Sequence, residues 1–212
     1  MGDGLIVIGA GGHAKVVVST IFAAGMTVTA IYDDDKEKWG GEILGCKILG
    51  PLSMIDFSSG ESAIMAIGNN YVRMRLASRF EKLDWVTIIH PEAYVHSSVH
   101  IGTGTVVFAG AVIQPDAFIG NHCIVNSGAT IDHDCVIGDY VHISPGANLA
   151  GDVKIDEGAF LGIGSAAIVG ITVGKWTTIG AGGVIIHDIP PNAVAVGVPA
   201  KAIKYKENLS VY

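Results

Sequence analysis

The sequence predicts a small α/β domain over residues 1–88, a parallel β-helix over 89–190, and a closing segment with tail over 191–212. Three observations predict this. From Ile89 the chain reads in blocks of six, and the first residue of each block is Val, Ile or Leu in sixteen of seventeen cases, from Ile89 and Val95 through Ile179 and Ile185. The exception, Ala167, is still apolar. The fifth residue of each block is mostly small, as at Ala93, Ala111, Ala117, Cys123, Ala129, Cys135, Ala147 and Ala159, with Ile171 and Ile189 the bulky members. Ahead of the blocks, short apolar runs alternate with helical stretches, the mark of a parallel sheet with crossover helices.

A hexapeptide period is the signature of a parallel β-helix. Each block is a short strand and a corner, and three blocks close one turn of a triangular prism. Residues eighteen apart then stack at the strand spacing of about 4.8 Å. The branched aliphatics fill the interior, and the fifth-position residues face inward where there is little room. Gly, Asn and Asp recur near the corners, where unusual φ values are needed. No turn buries its core alone, so stability comes from stacking. The register is expected to run unbroken to Pro190.

The N-terminal elements follow in order. Leu5 to Gly9 reads as a buried strand, Gly9-Ala10-Gly11-Gly12-His13-Ala14 as a turn, and the stretch on to Ala24 as a helix. The pattern Gly9-x-Gly11-x-x-Ala14 fits the glycine-rich phosphate-binding fingerprint: glycines admit a phosphate to the backbone, and the helix N-terminus offers free N–H groups. The strand Val28–Tyr32 ends in Asp33-Asp34-Asp35, placed to accept from a ribose hydroxyl or a base N–H. Cys46 to Leu49 is a weak strand, and Pro51 opens a short helix. Ala63 to Ile67 is a strand ending at Gly68-Asn69-Asn70, Tyr71 to Leu83 a helix, and Trp85 to Ile89 a last strand. A ligand belongs at the strand C-termini, near Gly9–His13, Asp33 and Gly68–Asn69. Fewer than 90 residues is half a full dinucleotide-binding fold, which favours a mononucleotide-type ligand. The tail from Ile203 to Tyr212 reads as a short helix or frayed end.

Composition narrows the partners. The 212 residues carry 16% charged residues, 29 Gly and a net charge of −7, which argues against nucleic acid but leaves room for a local nucleotide site. Three Cys are not spaced as a disulfide framework or zinc site, and Cys123 and Cys135 take inward positions as core residues. The N-terminus lacks a basic n-region and no apolar run reaches 18 residues, so no membrane role and a cytoplasmic location are expected.

At this point the residues carry a family resemblance. The hexapeptide prism closing with Gly197-Val198-Pro199-Ala200-Lys201 resembles the left-handed β-helix acyltransferases that use acyl-CoA. Gly9-Ala10-Gly11-Gly12-His13, Ile67-Gly68-Asn69 and Ile131-Asp132-His133-Asp134-Cys135 make the whole chain similar to the bacterial nucleotide-aminosugar N-acetyltransferases of the PglD/NeuD type. The left hand is implied by the resemblance alone and departs from the usual right-handed crossover. The resemblance further implies a homotrimer with acetyl-CoA between neighbouring prisms and a nucleotide-linked (UDP) amino-sugar on the α/β domain, with no metal. Carried over, His133 is the base and Asp134 its carboxylate, where the family often has Glu. His142 lies near the acetyl group and Asn126 near the sugar. Gly9, Gly11, Gly12, His13, Asp33, Asp34, Gly68 and Asn69 line the nucleotide side. Gly151, Gly162, Gly180, Pro199 and Lys201 join His142 on the acetyl-CoA side, where Lys201 meets a CoA phosphate or is merely solvated.

The chemistry asks for few parts. A neutral amine attacks a thioester, so a base must take its proton, and imidazole titrates near neutrality. Alignment of the two substrates contributes several kcal/mol. With the resemblance, this chemistry implies an acetyl-CoA-dependent N-acetyltransferase acting on a sugar 4-amino group. The alternatives are O-acetylation of a sialic-acid-like sugar and a non-catalytic nucleotide-binding scaffold. A γ-type carbonic anhydrase would need a His-x4-His pair, whereas the spacings here are His96-x3-His100 and His133-x8-His142.

Overall fold

The structure, a computed structural model, describes residues 4–56 and 60–207. The α/β domain comprises β1 (Leu5–Ile8), α1 (Gly12–Ala23), β2 (Val28–Tyr32), β3 (Glu42–Ile43), β4 (Cys46–Gly50), β5 (Ser62–Met65), α2 (Asn70–Arg79) and β6 (Asp84–Trp85). The sheet order is β3-β4-β2-β1-β5-β6, parallel except for the β3–β4 hairpin. All four residues of β1 are buried, as its unbroken apolar run requires. The chain steps outward from β1 to β2 and β4, then returns to β5 on the other side of β1. The strand order therefore reverses at the C-terminal ends of β1 and β5, which opens a crevice there.

The prism has three parallel faces. The first starts at Ile88–Ile89, the second at Tyr94–Val95 and the third at His100–Ile101. Val107 pairs with Ile89 and Val125, and Ile113 with Val95 and Ile131, so the eighteen-residue stacking holds. Every first-position aliphatic from Val107 to Ile185 is buried in one core. Val95 and Ile101 at the start of the prism are only partly buried, because no earlier turn lies beneath them. From Gly104 to Gly182 the fourth residue of each block has positive φ, including Asp116, His122, Asp134, Tyr140, Asp152 and Trp176. Cys123 and Cys135 lie in the core, and burial pushes the Cys123 thiol up to about 12.

Four expectations need correction. The register slips in the last turn: Val173 pairs with Ile189 and Thr178 with Val194, sixteen residues on instead of eighteen. Two residues are lost between Ile185 and Ile189, where the corner Ile186-His187-Asp188 is short, so Ile189 takes an interior first-position place. The second helix stops at Arg79 rather than Leu83, since Phe80 turns inward as its C-cap. The run from Trp85 to Ile89 is two strands in different sheets, Asp84–Trp85 in the domain and Ile88–Ile89 in the prism. Lys201–Tyr205 is a strand antiparallel to Ala193–Val196, not a helix, and caps the prism end; residues 208–212 of the expected tail lie outside the described residues.

The two parts share a core. Val17, Val18 and Ile21 of α1 pack with Ile88, Val106, Phe108 and Ile124 of the first prism face. Burying each such side chain contributes roughly 1.5–3 kcal/mol. The side chain of Asn70 donates to the carbonyls of Gly158 and Ala159. The domain is thereby fixed to one face of the three.

Candidate active site

The crevice at the strand reversal is a cleft of about 400 Å³ lined by Gly9, Gly11, Gly12, His13, Asp33, Asp34, Gly68, Lys38 and Leu52, among others. It brings together seven of the residues expected on the nucleotide side. Their roles divide. Gly9 has φ +105°, and a Cβ there would meet Ile67 and the Ala66 carbonyl, so the turn itself requires it. Gly11, Gly12 and Gly68 have no such need, because a Cβ on any of them would enter open space. What their bareness preserves is room above the α1 N-terminus, where backbone N–H groups and the helix dipole favour an anion.

Asp33 differs from its expected role. Its carboxylate accepts the Ala10 N–H at 2.7 Å and the Asp35 N–H at 2.9 Å, and pairs with Lys38 at 3.1 Å. Burial pushes its pKa up, but these backbone hydrogen bonds and Lys38 prevail and hold it below the usual carboxylate range. Asp33 thus clamps the glycine-rich turn rather than presenting a free carboxylate. Asp34 likewise accepts the Leu52 N–H. Lys38, a cation at the cleft wall, was not singled out by the sequence; its spacing of five residues from Asp33 is the signal that would have found it. Asn69 lies beside the cleft, where its side chain caps α2 by accepting the Val72 N–H at 2.9 Å.

A second group of side chains meets where the cleft reaches the prism. His142 is buried, with Nε2 3.1 Å from the Asn126 amide nitrogen and Nδ1 3.4 Å from the Gly68 carbonyl. Its ring lies 6.2 Å from that of His13 and edge-on to Phe160 at 5.1 Å. Burial, then the charge of Arg73 and the neighbouring His13, lower its pKa to about 3. Burial and Arg73 lower His13 to about 4. Both imidazoles are neutral at physiological pH. A neutral His142 at such a pKa is a hydrogen-bonding group and a poor proton acceptor.

His133 is the opposite case. It stands on the corner between the second and third faces, opposite the face that carries the α/β domain. Its side chain is 58% exposed, and Nδ1 lies 2.8 Å from Asp134 Oδ2. The left-handed backbone of Asp134, φ 60°, aims the short carboxylate at the neighbouring ring. That hydrogen bond, with Asp132 and Asp152 adding to the field, raises the His133 pKa. With Nδ1 engaged by Asp134, Nε2 has no hydrogen-bond partner among the described residues. The ring lies over Gly151, eighteen residues on.

The residues expected at the acetyl-CoA side split between two corners. His142, Gly162 and Gly180 follow the edge between the first and second faces. A Cβ on Gly162 would overlap the backbone of Gly180, and one on Gly180 would meet Val196, the partner of Lys201. Pro199 and Lys201 are exposed beside them. Gly151 stands apart, under His133. Among the described residues no cluster of three His, Cys, Asp or Glu is placed to hold a metal, and no helix is long and apolar enough to cross a membrane.

Known proteins match both parts. Residues 4–80 match the PglD N-terminal domain family and residues 116–151 the bacterial transferase hexapeptide family. UDP-N-acetylbacillosamine N-acetyltransferase of Bacillus subtilis is 43% identical over 111 residues, 49% of this chain and 50% of that enzyme. The chain spans half or less of the length of the curated relatives it matches first. Solved structures match more fully. PerB of Caulobacter crescentus, in complex with CoA and GDP-perosamine, is 40% identical with a TM-score of 0.89, covering 95% of this chain and 97% of that one. The acetyltransferase domain of PglB from Neisseria gonorrhoeae, in complex with acetyl coenzyme A, is 38% identical with a TM-score of 0.87, covering 96% and 100%.

Proposed function

The chain belongs to the nucleotide-aminosugar N-acetyltransferases, acetyl-CoA-dependent enzymes built on a left-handed β-helix, and on that premise we propose that it acetylates the 4-amino group of a UDP-linked amino-sugar with His133 as general base. The observation that carries this reading is the contrast between the two histidines. His133 is exposed, paired to Asp134 at 2.8 Å and raised in pKa, whereas His142 is buried and lowered to about 3. Only the first can take a proton near neutral pH and give it back.

In the proposed reaction Nε2 of His133 removes a proton from the sugar amine as its nitrogen attacks the thioester carbonyl. Asp134 holds the Nδ1 tautomer and stabilises the imidazolium. The tetrahedral oxyanion collapses, the C–S bond breaks, and the thiolate recovers the proton from His133. The sugar nucleotide occupies the cleft at Gly11, Gly12, His13 and Gly68, with Asn126 at the sugar and His142 at the acetyl group. Gly162, Gly180, Pro199 and Lys201 border the CoA.

Within one chain the cleft opens beside the first face while His133 stands on the opposite corner. The site is therefore proposed to form between protomers of a homotrimer, with His133 reaching the cleft of a neighbour. The UDP assignment draws on the Bacillus enzyme. PerB, bound to GDP-perosamine, favours a GDP-linked acceptor as the second reading. Release of free thiol from acetyl-CoA, followed against UDP-, GDP- and dTDP-linked 4-amino-sugars, tests both. Turnover with the UDP sugar alone supports the first reading and turnover with the GDP sugar alone the second. No thiol release with any nucleotide amino-sugar overturns the proposed function.

A further inference from the structure

Arg73 is the largest fully buried side chain of the described residues. Its five N–H groups meet five oxygens, none a carboxylate: Nε donates to the His122 carbonyl at 2.7 Å, Nη1 to those of Ile67 and Gly68 at 3.0 and 3.3 Å, and Nη2 to Asn70 Oδ1 and the Tyr140 carbonyl at 3.0 and 2.7 Å. The guanidinium therefore ties the loop after β5 and the start of α2 to two successive turns at one corner of the prism. A buried cation held only by neutral dipoles is a costly way to join two parts that already share an apolar core. Apolar side chains would join them at less cost, which raises the question of what the cation adds.

The Gly68 carbonyl supplies an answer. It lines the nucleotide cleft, accepts from Arg73 Nη1, and lies 3.4 Å from His142 Nδ1. A carbonyl only accepts, so this contact requires the proton of His142 on Nδ1. Nε2 then carries the lone pair that accepts from the Asn126 amide at 3.1 Å, while Asn126 Oδ1 accepts the Ser127 N–H. Two donors, Arg73 Nη1 and His142 Nδ1, thus converge on the Gly68 carbonyl, and Asn126 donates in turn to His142. This network links the structural junction to the two residues assigned to the acetyl group and the sugar.

We propose that Arg73 is a positioning residue that fixes the Gly68 carbonyl and through it the Nδ1–H tautomer and ring orientation of His142. The consequence for catalysis rests on the functional reading above, but the tautomer does not. The positive charge of Arg73 works in the same direction, since it disfavours protonation of His142 and of the nearby His13 and His122. Misplacing a group by about 1 Å costs up to roughly 10²-fold in rate. Arg73→Met is expected to lower kcat about 10- to 100-fold with a smaller change in the KM of either substrate, and Arg73→Lys to recover part of the loss.

The test is ring ¹⁵N NMR of His142 in the full-length protein, with kinetics alongside. In the wild type the Nδ1–H form is expected, and in Arg73→Met a mixture of tautomers. Leu83→Ala, a cavity in the domain core that removes none of these hydrogen bonds, serves as a destabilised control. Arg73→Met is expected to lose more kcat than Leu83→Ala. An Nε2–H tautomer in the wild type overturns the proposal even where Arg73→Met does not fold. So does a folded Arg73→Met that keeps His142 in the Nδ1–H form or matches the control in kcat. Intact NMR behaviour without any acetyl transfer overturns the functional reading instead and leaves the positioning role standing.

Discussion

The imidazole of His133 rests directly on the α-carbon of Gly151, one turn along the prism, so that any side chain at 151 would occupy the space of the ring. The eighteen-residue stack thereby couples a base on one turn to a glycine on the next. Gly151 has no positive φ, so alanine suits its backbone. Gly151→Ala is expected to leave the melting temperature within a few degrees and to lower kcat by roughly 10- to 100-fold through displacement of the ring. Unchanged kcat would show that the ring position is not set by this contact. A glycine expected to border the CoA then acts first as the floor beneath the base.

His133→Ala should lower kcat by roughly 10²–10⁴ with the fold intact, because the side chain is exposed and packs on little else. Steady-state kinetics together with a thermal melt separate the two effects. Near-wild-type turnover in the folded variant contradicts the role of His133 as base.

The pH profile follows from the sign of the His133 shift. A base acts in its neutral form, and Asp134 raises the pKa of that base. The acid limb of kcat/KM should therefore lie above the ordinary imidazole range, with activity rising as pH rises through it. Asp134→Asn removes the largest cause of the shift, so the limb should move to lower pH. A limb that stays in place in Asp134→Asn argues that another group titrates.

Two buried histidines and the half-buried His13 make the fold sensitive to acid. Burial, then the charge of Arg73, lowers His13 and His122 to about 4 and His142 to about 3, below the usual imidazole value of about 6.5. The unfolded chain binds protons below pH 6.5 that the folded chain refuses. Stability is thus fully present above that pH and is lost as pH falls toward 4, by about 1.4 kcal/mol per pH unit for each such proton. The melting temperature should drop over this range. His122→Phe, which keeps an aromatic ring against Tyr140, should flatten the drop. A melting temperature independent of pH between 6.5 and 4.5 contradicts this account.

The prism was legible because one physical constraint, an interior too narrow for anything but one aliphatic and one small residue per block, repeats in the sequence itself. The slip at Ile189 was not, since the short corner at Ile186-His187-Asp188 leaves the apolar pattern unbroken. His133 and Asp134 were found by their motif, but nothing in the motif tells which corner they occupy relative to the α/β domain. Asp33 was found for its position and turned out to clamp Ala10. Arg73 falls in the helix read from Tyr71 to Leu83, and its burial depends on carbonyls of His122 and Tyr140, about fifty and seventy residues away, that no local pattern reveals.

The central claim is that His133 of one protomer serves the cleft of another, and mixed oligomers test it most directly. His133→Ala is paired with a second inactive variant, Gly12→Trp, which fills the cleft above α1. The two are co-expressed, and the oligomers containing both are purified. If the site lies between protomers, each mixed trimer holds one junction of its three with an open cleft on one side and His133 on the other, so roughly a third of the wild-type activity returns. If each chain uses its own His133, no junction regains both parts, and mixed oligomers as inactive as either parent would contradict the account.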